Sequence, residues 1–183
     1  MRKDYSVFMK RNTIAYVSVF NEVGELVTDV YTTNGVFRVD IAPVKLIDKV
    51  FKNHGSSYKG AREGSKYILG DIDMPPLVIG GADGLYLFPS EAPSSPTCIW
   101  FFLHHIVHYK AIEKKKTAVY LTGGLRLVAE ISKSSYASRL TNAMLLKVRM
   151  EGSNLGNRPY DTIVNYQMVQ ELKDDAYRVN RHF

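Results

Sequence analysis

The chain has few of the features of exported or membrane-embedded proteins. Only one of its 183 residues is a cysteine, Cys98, so no disulfide can form within the chain and a reducing compartment is favoured. The longest apolar run, residues 98–103, is far shorter than the roughly 20 residues that a membrane-spanning helix needs. Behind the basic N-terminus, Lys10, Arg11 and Asn12 interrupt any apolar stretch of signal-peptide length. We therefore expect a cytoplasmic protein that does not contact a membrane.

Patterns typical of catalytic and metal sites are also scarce. His104, His105 and His108 lie close together, and the first and last of them would share one face of a strand. However, no cysteine or acidic residue lies at ligand spacing from them. Neither Ser56 nor Ser57 lies in the strand-to-helix elbow that exposes a nucleophilic serine. We predict a protein that is not an enzyme and has no catalytic residue, metal or cofactor.

What the chain does have is the composition of a folded, basic protein. A hydrophobic fraction of 45% with 11% aromatic residues is sufficient for one sizeable core. Lysine and arginine number 24 against 18 acidic residues, which gives a net charge of +6 and a pI of about 9.3. This excess favours anionic partners: nucleic acid first, then acidic proteins or membrane surfaces.

The first forty residues have the pattern of an antiparallel meander. Residues 5–20 form two apolar runs split by Lys10, Arg11 and Asn12, which predicts a hairpin. Residues 26–32 and 35–39 then flank an Asn-Gly pair, a strong local hairpin signal.

The period changes after Ala42. Val44, Ile47 and Val50 recur at helical spacing behind a proline suited to the first helical position, which predicts a helix over residues 43–53. Residues 55–66, rich in glycine and serine, are then expected to form an exposed loop.

Short strands and one more helix are expected in the rest of the chain. The predicted strands cover residues 66–69, 77–79, 85–88, 98–102, 106–112, 117–121 and 125–131. A helix from Ser134 or Ser135 to Met150 has Leu140, Met144, Leu145 and Val148 on one face.

We therefore predict an α+β fold: mostly antiparallel β meanders, two main helices and a C-terminal helical appendage. Residues 1–152 would form the core domain. Residues 153–183, with a helix-compatible patch at 163–172, would form a weakly packed appendage with a possible regulatory role.

Two cationic regions are the candidate binding surfaces. In residues 55–66, glycines permit close approach of an anion, hydroxyls donate to phosphate oxygens and cations supply charge. From residue 104 to 149, basic residues greatly outnumber acidic ones. Each region also has a non-functional interpretation. The first could be an ordinary polar surface loop, and the second could owe its charge to a solvated hairpin. The candidate DNA-binding residues are Ser56, Ser57, Tyr58, Lys59, Arg62, Lys66, Lys114, Lys115, Lys116, Arg126, Lys133 and Arg139.

An ordered set of short motifs resembles the competence transcription factor (ComK) family of Gram-positive bacteria. The motifs are Gly55-Ser56-Ser57-Tyr58-x-Gly60, Pro75-Pro76, Leu87-Phe88-Pro89 and Cys98-x-Trp100 with His105 shortly after. The middle of the chain matches best, and the tail after Gly152 departs from the family pattern.

The resemblance implies a DNA-binding transcriptional activator of DNA-uptake genes. Members of that family bind paired A/T-rich boxes through the minor groove as cooperating subunits, and they are substrates of adaptor-directed proteolysis. For this chain it implies double-stranded DNA as partner, a homodimer or higher cooperative assembly, and DNA contacts near Ser56, Ser57, Tyr58, Lys59 and Arg62. No clear helix-turn-helix pair is expected from the sequence. The alternative is a β-rich protein-binding module whose basic surface takes an acidic protein partner.

Overall fold

The computed structural model describes residues 5–80 and 84–154, which form nine β-strands and three α-helices. The strands are β1 Thr13–Phe20, β2 Leu26–Thr32, β3 Gly35–Val39, β4 Leu77–Ile79, β5 Leu85–Pro89, β6 Ile99–Phe102, β7 Ile106–Glu113, β8 Lys116–Leu121 and β9 Arg126–Ala129. The helices are α1 Pro43–Asn53, α2 Tyr58–Leu69 and α3 Lys133–Asn154.

The strands form two antiparallel sheets. The larger sheet has six strands in the order β3-β2-β1-β6-β5-β4, and the smaller has the order β7-β8-β9. The helices come between strand groups and not in strict βαβ alternation. The α+β fold with mostly antiparallel sheet is thereby confirmed.

The central strand β6 is buried on both of its faces. Trp100 and Phe102 point into a cluster that includes the apolar side of α1, whereas Ile99 and Phe101 point into a second cluster on the opposite face. Because successive side chains of a strand alternate between faces, a strand that is apolar throughout must be covered on both sides. Strand β6 therefore joins two layers that pack against the larger sheet.

Helix α1 covers one of these faces. Leu46, Ile47, Val50 and Phe51 are all buried against the sheet, and Pro43 occupies the first turn, where its missing N–H costs nothing. The helix has the bounds that the sequence predicts.

The smaller sheet and α3 cover the other face. Tyr136 of α3 makes edge contacts with Phe88 and Phe101, with ring centroids 5.8 and 5.5 Å apart. Such edge-to-face pairs stabilise a fold by about 0.5–1.5 kcal/mol in addition to the contribution of the apolar area that they bury. The Ser132 hydroxyl caps the helix by accepting the Ser135 N–H at 3.2 Å.

The predicted N-terminal hairpin is wrong. Ser6–Phe8 is a short 3-10 turn, and only Thr13–Phe20 is a strand. The Phe8 carbonyl accepts hydrogen bonds from the hydroxyls of Tyr16, at 2.7 Å, and of Thr13, at 3.1 Å. The Tyr5 and Phe8 side chains pack against the core cluster of α1, so the segment buries its apolar groups without pairing as a strand.

Two other predicted boundaries differ from the structure. Residues 66–69 belong to α2 and not to a strand, and α3 continues through Gly152 to Asn154. The division between a core of residues 1–152 and an appendage of residues 153–183 stays a prediction. The predicted helical patch at residues 163–172 lies outside the described residues.

Within the described ranges, no helix combines the length and apolar character needed to cross a membrane.

We expect Phe101→Ala to lower the free energy of unfolding by about 3–5 kcal/mol, because it leaves a cavity between the two sheets. Phe101 is fully buried. Urea denaturation followed by circular dichroism measures the change. Phe37→Ala is the matched control, because Phe37 is 49% exposed on the edge strand β3. Equal, small effects of the two substitutions would contradict the central place of β6.

Candidate functional site

The first cationic region is a helix and not the loop that its composition predicts. Residues 58–69 form α2, and residues 54–57 connect it to α1. Gly55 adopts a φ of +73° in this turn, a conformation that favours glycine. Two helices joined by such a short glycine-containing turn have the connection found in helix-turn-helix motifs. The sequence analysis predicted a loop here and therefore missed the second helix of the pair.

The start of α2 is fixed by two polar side chains. The Ser57 hydroxyl accepts the Gly60 N–H at 3.0 Å, and the Asp48 carboxylate accepts the Tyr58 N–H at 3.0 Å. Asp48 also pairs with Lys52 at 2.6 Å. The hydrogen bond from Lys52, and then that from the Tyr58 N–H, lower the pKa of Asp48. These contacts explain why a glycine-rich segment is helical here, since they satisfy N–H groups that a helix leaves free.

Tyr58 joins this helix to the core. Its ring lies edge-on to Trp100, with centroids 6.1 Å apart, and burial raises the pKa of its hydroxyl. The Arg62 guanidinium lies over the same ring at 5.7 Å from the centroid. Tyr58 is therefore a half-buried support that positions Arg62, one turn further along the helix.

The other predicted residues of this region lie at the surface. Ser56 is exposed in the turn before the helix. Lys59 is exposed and lies 3.8 Å from Glu63, while Lys66 pairs with the exposed Asp71 at 2.6 Å. Such exposed ion pairs stabilise by at most about 1 kcal/mol, so both lysines can exchange these partners for a stronger anion.

The second cationic region includes the β7–β8 hairpin. Lys114 and Lys115 form its exposed tip, and Lys116 begins β8 with its ammonium 3.3 Å from Glu113. The turn between the two predicted strands is a tight hairpin, so its charge is held at the end of a two-stranded ribbon.

The outward face of the smaller sheet contains a cluster of cationic and aromatic side chains, which we call the outer-sheet cluster: His108, Lys110, Tyr120 and Arg126. His108 and Arg126 are the cross-strand partners of Tyr120 on its two sides. The Lys110 ammonium lies 5.5 Å from the centre of the Tyr120 ring, and the His108 ring stacks on it at 5.6 Å. A hydrogen bond from Lys110, with the added charges of Lys110 and Arg126, lowers the pKa of Tyr120.

Of this cluster, the sequence analysis selected only Arg126. The alternation of His108 and Lys110 was visible in the sequence, because residues two apart in a strand share a face. That Tyr120 lies between Lys110 and Arg126 depends on the register of three strands, which no local pattern gives.

The two predicted residues of α3 differ in accessibility. Lys133 is exposed in the first turn. Arg139 is half buried and donates from Nη1 to Met74 Sδ at 3.1 Å, and burial lowers its pKa. Lys133 can reach an external anion from its present position, whereas Arg139 would first have to leave Met74.

The neighbouring histidines have a structural role. His104 and His105 lie in a 3-10 turn, so the expectation that His104 shares a strand face with His108 is wrong. Both place Nε2 against the Arg11 carbonyl oxygen, at 2.7 and 2.8 Å. Among the residues that the structure describes, no group of three or more histidine, cysteine or acidic side chains could hold a metal ion.

The two cationic regions meet through α3, where the Arg149 guanidinium donates to the Ile68 carbonyl oxygen of α2; the outer-sheet cluster lies elsewhere. Tyr58 and Ala61 of α2 pack on the face of the larger sheet that contains Trp100. The smaller sheet packs on the face that contains Phe101. Helix α2 and the outer-sheet cluster therefore belong to layers on opposite faces of the larger sheet.

Comparison with known proteins gives one consistent result. The family model described as ComK protein matches residues 3–154. A curated relative, the competence transcription factor of Bacillus subtilis (strain 168), is 24% identical over 128 residues, which cover 70% of this chain and 67% of the relative. No solved structure matches the chain significantly.

We expect Ser57→Ala to destabilise the protein by about 1 kcal/mol, because the Gly60 N–H loses the oxygen that caps the helix. Thermal unfolding followed by circular dichroism measures the effect. Ser56→Ala removes the neighbouring exposed hydroxyl and is the matched control, with no significant change expected. If Ser57→Ala were as neutral as its control, the capped helix start would be contradicted.

Proposed function

Because the chain belongs to the ComK family, we propose that it is a DNA-binding transcriptional activator of competence genes. The relative named a competence transcription factor supports this proposal. The structural observation that carries it is the convergence of Lys110 and Arg126 on Tyr120, on the open face of the smaller sheet. The proposed function is not enzymatic, since an activator needs only to bind DNA.

The outer-sheet cluster has the chemistry of a phosphate site. Lysine and arginine supply charge and N–H donors, and the Tyr120 hydroxyl supplies a further donor between them. The hairpin tip with Lys114 and Lys115 extends from the same two strands, so a duplex lying along this sheet would meet cations over the whole length of the ribbon.

Helix α2 provides a second contact surface. Its exposed residues include Lys59 and two glycines, Gly60 and Gly64, which leave the helix surface without side chains at those positions. A sugar-phosphate backbone can approach such a surface closely, with Lys59, Arg62 and Lys66 beside it. Ser56 and Ser57 precede the positive end of the helix dipole, where phosphate is favoured.

We propose A/T-rich boxes as the target and the minor groove as the principal site of recognition. The A/T minor groove is narrow and strongly negative, which attracts inserted lysine and arginine side chains. The two lysine side chains of the hairpin tip are slender enough to enter a minor groove of about 6 Å, which is too narrow for the two-stranded ribbon itself. Paired boxes require paired subunits, so we propose a homodimer or a higher cooperative assembly.

Assembly also accounts for the separation of α2 from the outer-sheet cluster. Since they belong to opposite layers, two subunits on one duplex could apply the outer-sheet cluster of one and α2 of the other to neighbouring phosphates. We further propose a cytoplasmic location, where the chromosome is, and a proteolytic adaptor as a further partner.

A salt titration tests DNA binding by the full chain. With about six phosphate contacts, the logarithm of affinity for a duplex falls with the logarithm of salt concentration at a slope of roughly −5. We expect Lys110→Ala and Arg126→Ala each to reduce the magnitude of that slope by about 1. Lys45→Ala, at an exposed position on α1, is the charge-matched control. Affinity for an A/T-rich duplex should exceed that for a G/C-rich one of equal length.

An affinity for the duplex that hardly depends on salt concentration, or an equal affinity for the A/T-rich and the G/C-rich duplex, would contradict the proposal. A salt-dependent interaction with an acidic protein and none with DNA would favour the protein-binding alternative. If Lys45→Ala changes the salt slope as much as Lys110→Ala and Arg126→Ala do, the outer-sheet cluster is not part of the DNA-binding surface.

A further inference from the structure

An open groove lies between β7 and the C-terminal half of α3. It has a volume of about 540 Å³, within the range of natural binding sites. More than half of its lining residues are apolar, among them Val107 on β7 and Met144 and Val148 on α3. Val107 is 69% exposed, so apolar surface is open to solvent here. Apolar surface of this kind is typical of interaction sites.

The strand along this groove has a free edge. Within the described residues, β7 pairs only with β8, so its other side presents backbone N–H and C=O groups that have no strand partner. A free strand edge is the place where many domains bind an extended peptide as an additional strand. The edge then supplies hydrogen bonds, and a groove beside it takes every second side chain.

A small polar pocket adjoins one end of the groove. It has a volume of about 80 Å³ and shares Leu103, His104, Lys147 and Glu151 with the groove. Arg11 also lines it, so two cationic residues stand against one acidic residue. The surplus of one positive charge matches a single carboxylate. Lys147 lies 3.8 Å from Glu151 in an exposed pair, a weak contact that another carboxylate can replace.

Tyr86 is a further polar residue of this pocket. Its side chain lines the pocket, and its buried hydroxyl has no hydrogen-bond partner among the described residues. Burial, and then the charge of Glu151, raises the pKa of Tyr86 to about 12, so the hydroxyl keeps its proton and remains a donor. Because buried hydroxyls in proteins are normally hydrogen-bonded, an unused donor beside two cations favours an acceptor group in this pocket.

The position of the pocket fits a strand that runs antiparallel to β7. Leu103 and His104 come directly before β7 in the chain, so the pocket lies at the N-terminal end of that strand. An antiparallel neighbour runs toward this end, and its C-terminus would therefore arrive at the pocket. Antiparallel pairing is also the arrangement throughout the smaller sheet.

We propose that the groove binds the C-terminal segment of a partner polypeptide, which adds to β7 as an antiparallel strand. Apolar side chains at alternate positions of that segment lie in the groove against Met144 and Val148. Its terminal carboxylate lies in the polar pocket beside Arg11 and Lys147. This inference goes beyond the proposed DNA-binding function and does not depend on it.

A partner segment is favoured over the β7 strand of a second copy. Two β7 strands that pair antiparallel with close overlap would bring their Lys110 side chains near each other on one face. Like charges at such positions destabilise a sheet. A segment that ends in a carboxylate brings the opposite charge to this edge.

Peptide binding to the full chain, measured by fluorescence anisotropy, tests the proposal. The probe is a labelled hexapeptide in which serine and valine alternate and which ends in valine with a free carboxylate. A C-terminal amide removes only its charge. Backbone N-methyl groups on two adjacent residues block strand pairing, because one of the two must face β7. We expect saturable one-to-one binding of the acid, about tenfold weaker binding of the amide and no measurable binding of the N-methylated peptide.

Two pairs of variants locate the site. Val107→Asp should weaken binding of the acid at least about tenfold, because it puts a carboxylate at the apolar groove. Val36→Asp is its matched control, since Val36 is 52% exposed on the edge strand β3 of the other sheet. Lys147→Gln should weaken binding of the acid and leave that of the amide unchanged. Lys45→Gln, at an exposed position on α1, should change neither.

The absence of saturable binding to the full chain would overturn the proposal. Binding that neither N-methylation nor Val107→Asp weakens would do the same, as would equal affinities for the acid and the amide. A dimer of the full chain that Val107→Asp dissociates would also overturn it, since a second copy would then occupy the groove.

Discussion

The fold depends on one strand that is apolar on both faces. Strand β6 places Trp100 against the layer of α1 and α2, and Phe101 against the layer of the smaller sheet and α3. Neither layer could bury its apolar side without the larger sheet between them, because an amphipathic helix or a three-stranded sheet needs a partner surface. Through Tyr58 and Tyr136 the same strand also fixes the elements that contain the cationic residues, so packing in the core determines where the surface charge lies.

Local patterns were sufficient to predict most of the fold. The apolar runs of β1 and β2, the Asn-Gly turn and the helical spacing in α1 are short-range signals, and the elements that these signals predict are present. Helix α2 was missed because Gly55, Gly60 and Gly64 are typical of loops and few apolar residues mark its inward side. Its stability comes from contacts that no local pattern reveals: the Asp48 carboxylate at its first N–H group, and Trp100 beside Tyr58.

The candidate site was predictable as charge but not as geometry. The excess of lysine and arginine follows from composition, and the hairpin tip from the two predicted strands that flank it. The position of Tyr120 between Lys110 and Arg126 arises from the pairing of three strands, and the partial burial of Arg139 from its contact with Met74. The candidate cations therefore divide into those at the surface and Arg139, which is half buried against Met74. For a protein that we propose to act on DNA, this division predicts which substitutions affect binding and which affect stability.

Hydrogen exchange of the full chain, with and without an A/T-rich duplex, tests the proposed surface most directly. Exchange reports protection of individual backbone segments, and it needs no substitution that could disturb the fold. Slower exchange in the first turns of α2 and in the β7–β8 hairpin, with β3 unchanged, is the predicted result. Unchanged exchange in both α2 and the hairpin, with new protection on β3 or elsewhere in the described residues, would contradict it.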